Sequence, residues 1–282
     1  MRFAYFPGCN AESTALEYNQ SVKETFRCLG VELKEIPNWN CCGASSGHVV
    51  NQELALTLPG RNLALAEQMF LDMITPCPAC YVRQKTAQEE LKKNRDLKTK
   101  IEKNIGLPLK LTQKTKHVLE VLYHEIGTDL IRKKISKPLK GLKVVTYYGC
   151  YLVRPPEIAD FDDGENPVSM DMIMNSLGAE VIDWSCKIDC CGASLSLTTG
   201  GIAKELVNKI VYNAHDLGAE AIVTACPLCE SNLDIYQSNT PPIPVLFFSE
   251  LTALALGSLN GKKWFGKHMV NPSGLFERLG FI

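Results

Sequence analysis

Ten of the twelve cysteines in this 282-residue chain form two copies of one pattern. Each copy has a leading cysteine, a distant Cys-Cys-Gly and a closing Cys-Pro-x-Cys. The two copies are Cys9, Cys41, Cys42, Cys77 and Cys80, and Cys150, Cys190, Cys191, Cys226 and Cys229. Their last four members differ by a constant 149 positions, whereas the leading cysteines differ by 141. The repeat predicts two equivalent sets of thiol ligands.

The composition is typical of a soluble globular protein, with 45% hydrophobic and 22% charged residues. The longest apolar stretch, residues 244–259, is interrupted by Ser249 and Glu250 and is too short to span a bilayer. The amino terminus lacks the features of a signal peptide. We therefore predict a cytoplasmic protein with no direct membrane span. In a reducing compartment, dense cysteines favour metal binding over disulfides.

The net charge of −1 conceals a basic region at residues 85–140, where 15 Lys and Arg stand against 7 Asp and Glu. One interpretation is a solvated helical arm. The other is a docking surface for an acidic partner subunit or a steering field for an anionic substrate. The region lacks interleaved aromatic residues, so no nucleic-acid partner is predicted.

Each half of the chain alternates strand-like and helix-like segments. Strands are predicted at residues 2–6, 31–36, 73–75, 142–147, 180–184, 221–225 and 245–248. Helices are predicted at residues 14–29, 54–69, 169–177 and 202–217, and from residues 78 and 227. This alternation predicts an α/β fold of two pseudo-twofold-related modules with small parallel sheets flanked by helices.

We place the domain boundary within a Lys-rich linker at residues 133–141. Residues 1–138 then form a first iron–sulfur module with a helical arm, and residues 139–282 a second module with a C-terminal tail. From residue 242 onward, the sequence predicts one more strand, a helix and a loop-rich end without a counterpart in the first half. Every cysteine group falls at the end of a predicted strand, at the sheet edge where open α/β folds bind ligands.

The cysteine pattern itself favours an iron–sulfur cluster in each module. A structural zinc site uses four ligands, whereas each set offers five. Two adjacent thiolates converge on one object only within a turn, for which Gly43 and Gly192 supply a permissive backbone. Disulfides, or zinc in one module, are the alternatives.

Prolines and glycines next to the other cysteines support the same interpretation. Pro78 and Pro227 suit the first position of a helix, whose free N–H groups would point toward the cluster. Gly8 and Gly149, before the leading cysteines, would allow the backbone to approach closely.

These features resemble the cysteine-rich CCG domain, and two tandem copies resemble the B-type subunit family of heterodisulfide reductase. Further matches lie at residues 147–150, 154–156, 164–167 and 190–193. The resemblance implies two non-cubane 4Fe–4S clusters, bound by the ten cysteines, and a small-molecule disulfide between them. That substrate would be of the CoM-S-S-CoB type or a related thiol or sulfur carrier. Residues 10–14 depart from the family pattern, which bears on the identity of the disulfide.

The resemblance also implies the catalytic subunit of a complex that reduces a disulfide to two thiols. Its partners would be the ferredoxin-like C-type subunit and the flavoprotein A-type subunit of that complex. The chain has no Gly-x-Gly-x-x-Gly motif, so electrons must arrive from other subunits. Two alternatives are a component of a sulfur-oxidising complex, which works in the oxidative direction, and a non-catalytic electron-relay subunit.

Five further residues are candidates for supporting roles. His48 could protonate a nascent thiolate, and Arg154 and Lys187 could hold an anionic tail of the substrate. Cys186 is either an auxiliary ligand or a spare thiol, and Cys28 is predicted to be a small buried hydrophobe. The loops at residues 43–45 and 192–194, rich in small residues, are expected to flank the substrate.

Overall fold

The computed structural model describes residues 1–44, 47–238 and 241–282, which contain two four-stranded parallel sheets. The first sheet consists of β1 (Arg2–Tyr5), β2 (Glu32–Glu35), β3 (Met73–Thr75) and β4 (Thr115–His117). The second consists of β5 (Lys143–Tyr147), β6 (Glu180–Val181), β7 (Ala221–Thr224) and β8 (Val245–Phe247). Their strand orders, β2-β1-β3-β4 and β6-β5-β7-β8, are equivalent. The predicted α/β fold with two repeated modules is confirmed.

The helices cover both faces of each sheet, as the buried central strands require. In the first half they are α1 (Leu16–Leu29), α2 (Gly47–Val50), α3 (Gln52–Glu67), α4 (Pro78–Lys93), α5 (Arg95–Ile105), α6 (Val118–Glu120) and α7 (Thr128–Lys134). In the second half they are α8 (Ser169–Ser176), α9 (Gly200–Asp216), α10 (Pro227–Ile235), α11 (Phe248–Ala255), α12 (Gly261–Phe265) and α13 (Ser273–Arg278). A π-helical segment, Val121–Ile126, continues α6.

Two expectations about the strands were wrong. The strand predicted at residues 180–184 ends at Val181, because Trp184 leaves the ladder and its indole Nε1 donates to the Thr146 carbonyl at 2.7 Å. The strand and helix after residue 242 do have a counterpart in the first half, namely β4 followed by α6. Strand β4 was missed because a polar three-residue edge strand lacks the alternation of apolar residues that marks longer strands.

The two modules share one hydrophobic core, built mainly where α1 packs against α11. At this contact the Ser21 and Ser249 hydroxyls lie 2.7 Å apart, and the Thr25 hydroxyl donates to the Ser249 carbonyl at 3.0 Å. The equivalent contact places α8 against α6 and the π-helical segment, in keeping with pseudo-twofold symmetry. The boundary between residues 138 and 139 stays a prediction.

The predicted helical arm does not extend freely from the first module. Helix α5 packs against α3 and α4, and its Ile101 side chain is fully buried. Asn94 begins this helix by accepting a hydrogen bond from the Leu97 backbone N–H at 3.0 Å. This part of the basic region is therefore an integral layer of the first module.

The modules differ most in the segment that follows the leading cysteine. Residues 10–15 connect Cys9 to α1, whereas residues 151–168 connect Cys150 to α8. The longer segment, called the entry segment below, reaches the first module. Its Asp160 pairs with Lys85 of α4 at 2.6 Å, and its Phe161 is buried against Tyr81 and His117. The extra residues of the second copy therefore contribute to the contact between modules.

Candidate functional site

Neighbouring strands bring the leading and closing cysteines of each set together. Cys9 and Cys77 follow β1 and β3, which pair directly in the first sheet. Cys150 and Cys226 follow β5 and β7, which pair in the second. Because the carboxyl ends of parallel strands meet at one sheet edge, the cysteines gather there, as the sequence predicts.

Each Cys-Cys-Gly forms the same turn. Gly43 and Gly192 have positive φ angles of +75° and +77°, in the left-handed region that favours glycine. Their backbone N–H groups donate to the sulfur two residues earlier, Cys41 at 3.5 Å and Cys190 at 3.3 Å. The turn thereby aims both cysteines of each pair at one site.

The sulfur atoms converge without forming disulfides. Cys42 Sγ lies 3.3 Å from Cys80 Sγ, and the equivalent pair Cys191 and Cys229 lies 3.6 Å apart. A disulfide would require about 2.05 Å. Thiolates placed tetrahedrally at about 2.3 Å from one metal lie about 3.8 Å from each other. The spacing suits sulfur atoms that share a metal centre, and five thiols per site suit a polynuclear cluster better than one zinc ion.

Both sites open to the surface through equivalent cysteines. Cys9 and Cys41 are exposed, with their sulfurs 3.8 Å apart, and in the second set Cys190 is exposed and Cys150 half-buried. The other three cysteines of each set are buried. Each site therefore has three cysteines inside and two at or near the surface, where a small molecule could approach.

The closing Cys-Pro-x-Cys occupies a helix start in both modules. Pro78 and Pro227 are the first residues of α4 and α10. The N–H groups of Cys77 and Cys226 lie 3.5 and 3.4 Å from the hydroxyls of Thr75 and Thr224. The positive ends of the two helix dipoles lie beside the sulfurs, where they stabilise negative charge on a bound cluster.

Two glycines bring the backbone close to these sulfurs, as the sequence predicts. A Cβ on Gly8 would lie 3.0 Å from Cys80 Sγ, and one on Gly149 would lie 2.9 Å from Cys229 Sγ. Both have positive φ, +77° and +66°. Sterics and backbone conformation together therefore require glycine before each leading cysteine.

Hydrogen bonds within each set favour deprotonation of one thiol over its partner. The bond between Cys41 and Cys42 raises the pKa of Cys41 and lowers that of Cys42. The bond between Cys150 and Cys190 raises the pKa of Cys150 and lowers that of Cys190. Bonds from Cys41 and Cys80 hold the pKa of the Cys42 thiol well below its ordinary value, and the Arg83 guanidinium acts in the same direction. A bond from Cys150 lowers the pKa of Cys190 to about 6. Thiolates are the metal-binding form of cysteine.

Tyr18 and His117 were missed by sequence reasoning and have equivalent roles beside the two sites. The carbonyl preceding Cys77, that of Pro76, accepts a hydrogen bond from His117 Nε2 at 2.9 Å. The carbonyl preceding Cys226 accepts one from the Tyr18 hydroxyl at 2.9 Å. Tyr18 belongs to the first module, so it supports the second site across the contact between modules. A lone tyrosine in an amphipathic helix carries no such signal in sequence.

The structure distinguishes the predicted supporting residues. Lys187 is buried and ion-paired to Asp171 at 2.8 Å and Asp183 at 3.0 Å, which argues against its predicted role as an anion ligand. Arg154 is half-buried beside the second site. The side chain of His48 lies outside the described part of the chain, and so does residue 45 of the predicted substrate loop.

The two cysteines outside the pattern differ in burial. Cys186 is buried, and its sulfur lies 4.0 Å from the Ser185 hydroxyl, so its contacts do not support a role as ligand. Cys28 is only half-buried near Glu24 and Arg27, so the expectation of a fully buried hydrophobe was wrong. The apolar periodicity of α1 suggested burial, but Cys28 lies at the margin of the apolar face.

A cavity of about 620 Å³ opens beside the second site. Its lining is Cys150 with the entry-segment residues Tyr151, Arg154, Pro155, Pro156, Asp163, Gly164 and Glu165. Arg154 pairs with Glu165 at 2.8 Å, and the side chains are 42% and 82% exposed, so this ion pair lies at the rim. The predicted substrate position between the two sites stays a prediction.

A buried ionic group lies directly behind the second site. His268 Nδ1 lies 3.1 Å from Glu230 Oε1, next to Cys229, and His268 Nε2 lies 3.1 Å from Glu250 Oε1. Burial opposes the charge of His268, but Glu250 and Glu230 outweigh it and raise its pKa to about 11. Nothing in the sequence indicates this group, because its members are far apart along the chain.

Fold and site together define a tandem cysteine-rich metal protein of the α/β class. In the part of the chain that the structure describes, no helix is long and apolar enough to cross a membrane. Residues 3–83 and 144–234 match the profile of the cysteine-rich domain CCG. The chain therefore belongs to the CCG family and carries two copies of its domain.

Similar proteins extend over almost the whole chain. The 8-methylmenaquinol:fumarate reductase membrane anchor subunit of Wolinella succinogenes is 36% identical, over 90% of this chain and 92% of that protein. The B-type subunit of the ferredoxin:CoB-CoM heterodisulfide reductase of Methanosarcina mazei is 31% identical, over 91% of this chain and 89% of that protein. A protein of Archaeoglobus profundus, named as similar to the same heterodisulfide reductase subunit, is 28% identical over 91% of each. The resemblance to the B-type subunit family is confirmed.

One solved structure has the same fold. A hypothetical protein from Helicobacter pylori superposes with a TM-score of 0.73 at 15% sequence identity. The match covers 95% of this chain and 51% of that one, so this chain spans about half of its length. At this identity the likeness shows the fold alone.

Proposed function

We propose that this chain is the catalytic, cytoplasmic subunit of a heterodisulfide reductase-like complex. It reduces a disulfide, of the CoM-S-S-CoB type or a related thiol or sulfur carrier, to two thiols. Electrons come from a ferredoxin-like subunit and a flavoprotein subunit. The observation that carries the proposal is the open side of both cysteine sites, where Cys9, Cys41 and Cys190 are exposed. The cavity against Cys150 adds room for a small molecule, which a pure relay subunit would not need.

Two sites in one chain match the electron count of the reaction. Cleaving R–S–S–R′ to RSH and R′SH consumes two electrons and two protons. The ten cysteines would hold two 4Fe–4S clusters of the non-cubane type, which would supply one-electron transfer and iron that binds sulfur. The remaining steps fall to the protein: its Cys-Cys-Gly turns hold the ligands, and its helix starts present N–H groups to negative sulfur.

The cavity beside Cys150 supports an anionic substrate. Its walls combine two prolines and Gly164 with Tyr151 and the acidic Asp163 and Glu165, and they leave room for one half of a disulfide. The Asp163 carboxylate already accepts hydrogen bonds from the Glu165 and Asn166 N–H groups. Arg154 stands at its rim with the exposed Glu165 as its ion-pair partner. A carboxylate, sulfonate or phosphate on the substrate could displace Glu165 and bind the guanidinium in bidentate fashion.

The test is disulfide reduction by the anaerobically cluster-loaded chain, with reduced methyl viologen as electron donor. We expect disulfide-dependent oxidation of viologen, and none when NADH is the sole donor. Arg154→Met should raise the KM for a disulfide that carries carboxylates, and leave the KM for neutral 2-hydroxyethyl disulfide unchanged. Ala193→Leu, next to the Cys-Cys-Gly turn, should block turnover while both clusters remain spectroscopically intact.

A second candidate function follows from the Wolinella relative, which is 36% identical and is named as a subunit of a menaquinol-linked fumarate reductase. In this alternative the chain transfers electrons between a quinol and a partner enzyme. The same assay separates the two candidate functions. If the clusters are intact and viologen is oxidised by a water-soluble menaquinone analogue but by no disulfide, the result would favour electron transfer with a quinol. A sulfur-oxidising complex would run the disulfide reaction in reverse. The direction depends on the reduction potentials of the partner subunits.

A further inference from the structure

Around the two cysteine sites, several equivalent positions of the repeat differ in charge. At four pairs of positions related by the constant offset of 149, the residue in the second module has a more negative formal charge than its counterpart in the first. They are Asn40 and Asp189, Tyr81 and Glu230, Arg83 and Asn232, and Lys85 and Asp234. Each pair lies within a few residues of a cysteine of the pattern, so the difference is local to the two sites.

In the second module the added negative charge is buried. Glu230, next to Cys229, is 5% exposed and contacts His268, which also contacts Glu250. With His268 charged between its two carboxylate partners, this trio carries a net charge of −1, and its Glu250 has a counterpart in Glu120 of the first module. Asp234, also 5% exposed, accepts from the Met269 and Val270 N–H groups and adds a second negative charge.

In the first module the same positions are neutral or cationic. Tyr81, in place of Glu230, is fully buried and accepts a hydrogen bond from Lys85 at 3.2 Å. Lys85, in place of Asp234, has only 18% of its side chain exposed, and its partner Asp160 is at the surface. Arg83, in place of Asn232, is half-buried and places a positive charge near Cys42.

Charged groups on the same elements do not cancel this difference. Glu120 and Glu250 occupy equivalent capping positions in the two modules, so Glu250 does not distinguish the sites. The difference in net charge therefore comes from Asp234 of the second module and from Lys85 and Arg83 of the first. Asp189 pairs with Lys209 at 2.8 Å, but that lysine is 63% exposed and well screened by solvent. Lys187 is neutralised by its two aspartates.

Charged groups from the surrounding segments do not cancel it either. Arg154 lies near the second site, but it is half-buried and its charge is offset by the exposed Glu165 at 2.8 Å. Glu12 lies near the first site and is exposed, so solvent screens it. Glu17 of α1 lies near Glu230, and its burial raises its pKa to about 7, so it is neutral or adds negative charge at the second site.

We propose that this charge difference makes the first-module site the more easily reduced of the two, so that the first electron to enter the chain rests there. The inference depends on the proposed function in one respect, that each cysteine set holds an iron–sulfur cluster. Each site gains one electron on reduction, and buried negative charge opposes that gain more strongly than exposed charge does. The second site would then be reduced only by the second electron.

The test is a potentiometric titration of the full, cluster-loaded chain, followed by absorbance and EPR spectroscopy. We expect two separate midpoint potentials in the wild-type protein. Glu230→Gln should raise the lower potential and leave the higher one in place. Lys85→Gln should lower the higher potential alone. Each shift should change the reduction equilibrium at least tenfold, about 59 mV for a one-electron couple.

Two further variants serve as controls for this titration. Asp234→Asn keeps the acceptor for the Met269 and Val270 N–H groups and should also raise the lower potential, in case Glu230→Gln disturbs cluster loading. Tyr81→Phe changes no charge and should move neither potential. Coincident potentials in the wild type, an unchanged lower potential in both acid variants, or a chain that loads zinc would each overturn the inference. Chains that shift as expected but reduce no disulfide would instead overturn the proposed function.

Discussion

The two modules hold their cysteines in the same way but surround them differently. Both have the same strand order, the same Cys-Cys-Gly turn and the same helix start at Cys-Pro-x-Cys. They differ in the segment after the leading cysteine, which is short in the first module and forms a cavity wall in the second. The repeat therefore preserves the geometry of the cysteines, while surface access and charge vary between the sites.

A second contrast concerns the carbonyl that precedes each closing motif. In the first module His117 satisfies it from within the module, and Phe247 replaces His117 in the second. There Tyr18 stacks on Phe247, with ring centroids 4.0 Å apart, and its hydroxyl provides the missing donor. A buried carbonyl must be hydrogen-bonded, so loss of the donor in one module is compensated by a side chain of the other.

The largest effect should come from removing one central cysteine. Cys42→Ala should lose or convert the first cluster and Cys191→Ala the second, so each variant should retain about half of the roughly eight irons expected per chain. Iron and sulfide analysis of anaerobic preparations measures this, and Cys28→Ala is the matched control with full content. Loss of both clusters from either single change would show that the sites depend on each other.

The buried histidines should give the modules opposite responses to pH. Burial lowers the pKa of His117 from 6.5 to about 3, against a smaller opposing effect of the Pro76 carbonyl. Its folded pKa lies below the unfolded one, so stability is lost as the pH falls below about 6.5. The pKa of His268 is raised to about 11, so its contribution is complete below about pH 6.5 and disappears as the pH rises toward 11.

Thermal unfolding between about pH 4 and pH 10 checks this contrast. His117→Gln should weaken the fall of the melting temperature at acidic pH. His268→Gln should weaken its fall at alkaline pH. A melting temperature that responds to both substitutions equally, at one end of the range, would contradict the assignment of a neutral His117 and a charged His268.

The smallest effects should come from the entry segment, where apolar and polar contacts can be compared. Phe161→Ala removes a buried ring from Tyr81 and His117 and should cost about 3 kcal/mol of unfolding free energy. Asp160→Ala breaks the ion pair with Lys85, in which the aspartate is 70% exposed, and should cost less than about 1 kcal/mol. Urea unfolding measures both. Equal losses would mean that the ion pair contributes as much as the ring to fixing the segment.

Much of the fold could be predicted from local pattern. Buried strands such as β7 and helices such as α9 were predicted within two residues of their ends, because their apolar periodicity is strong. Edge strands were predicted less well: β6 was made too long and β4 was missed, since pairing on one side with few apolar residues leaves a weak signal.

The sequence alone determined the two cysteine sets and the turns that shape them. Spacing, adjacent cysteines and a following glycine are local features, so they can be recognised without knowing which segments meet. Only the tertiary structure decided that Glu230, Glu250 and His268 form one buried group, that Tyr18 serves the opposite module, and that Lys187 is already paired. These contacts join residues that are not neighbours in the chain, and the burial that strengthens them exists only once the chain has folded.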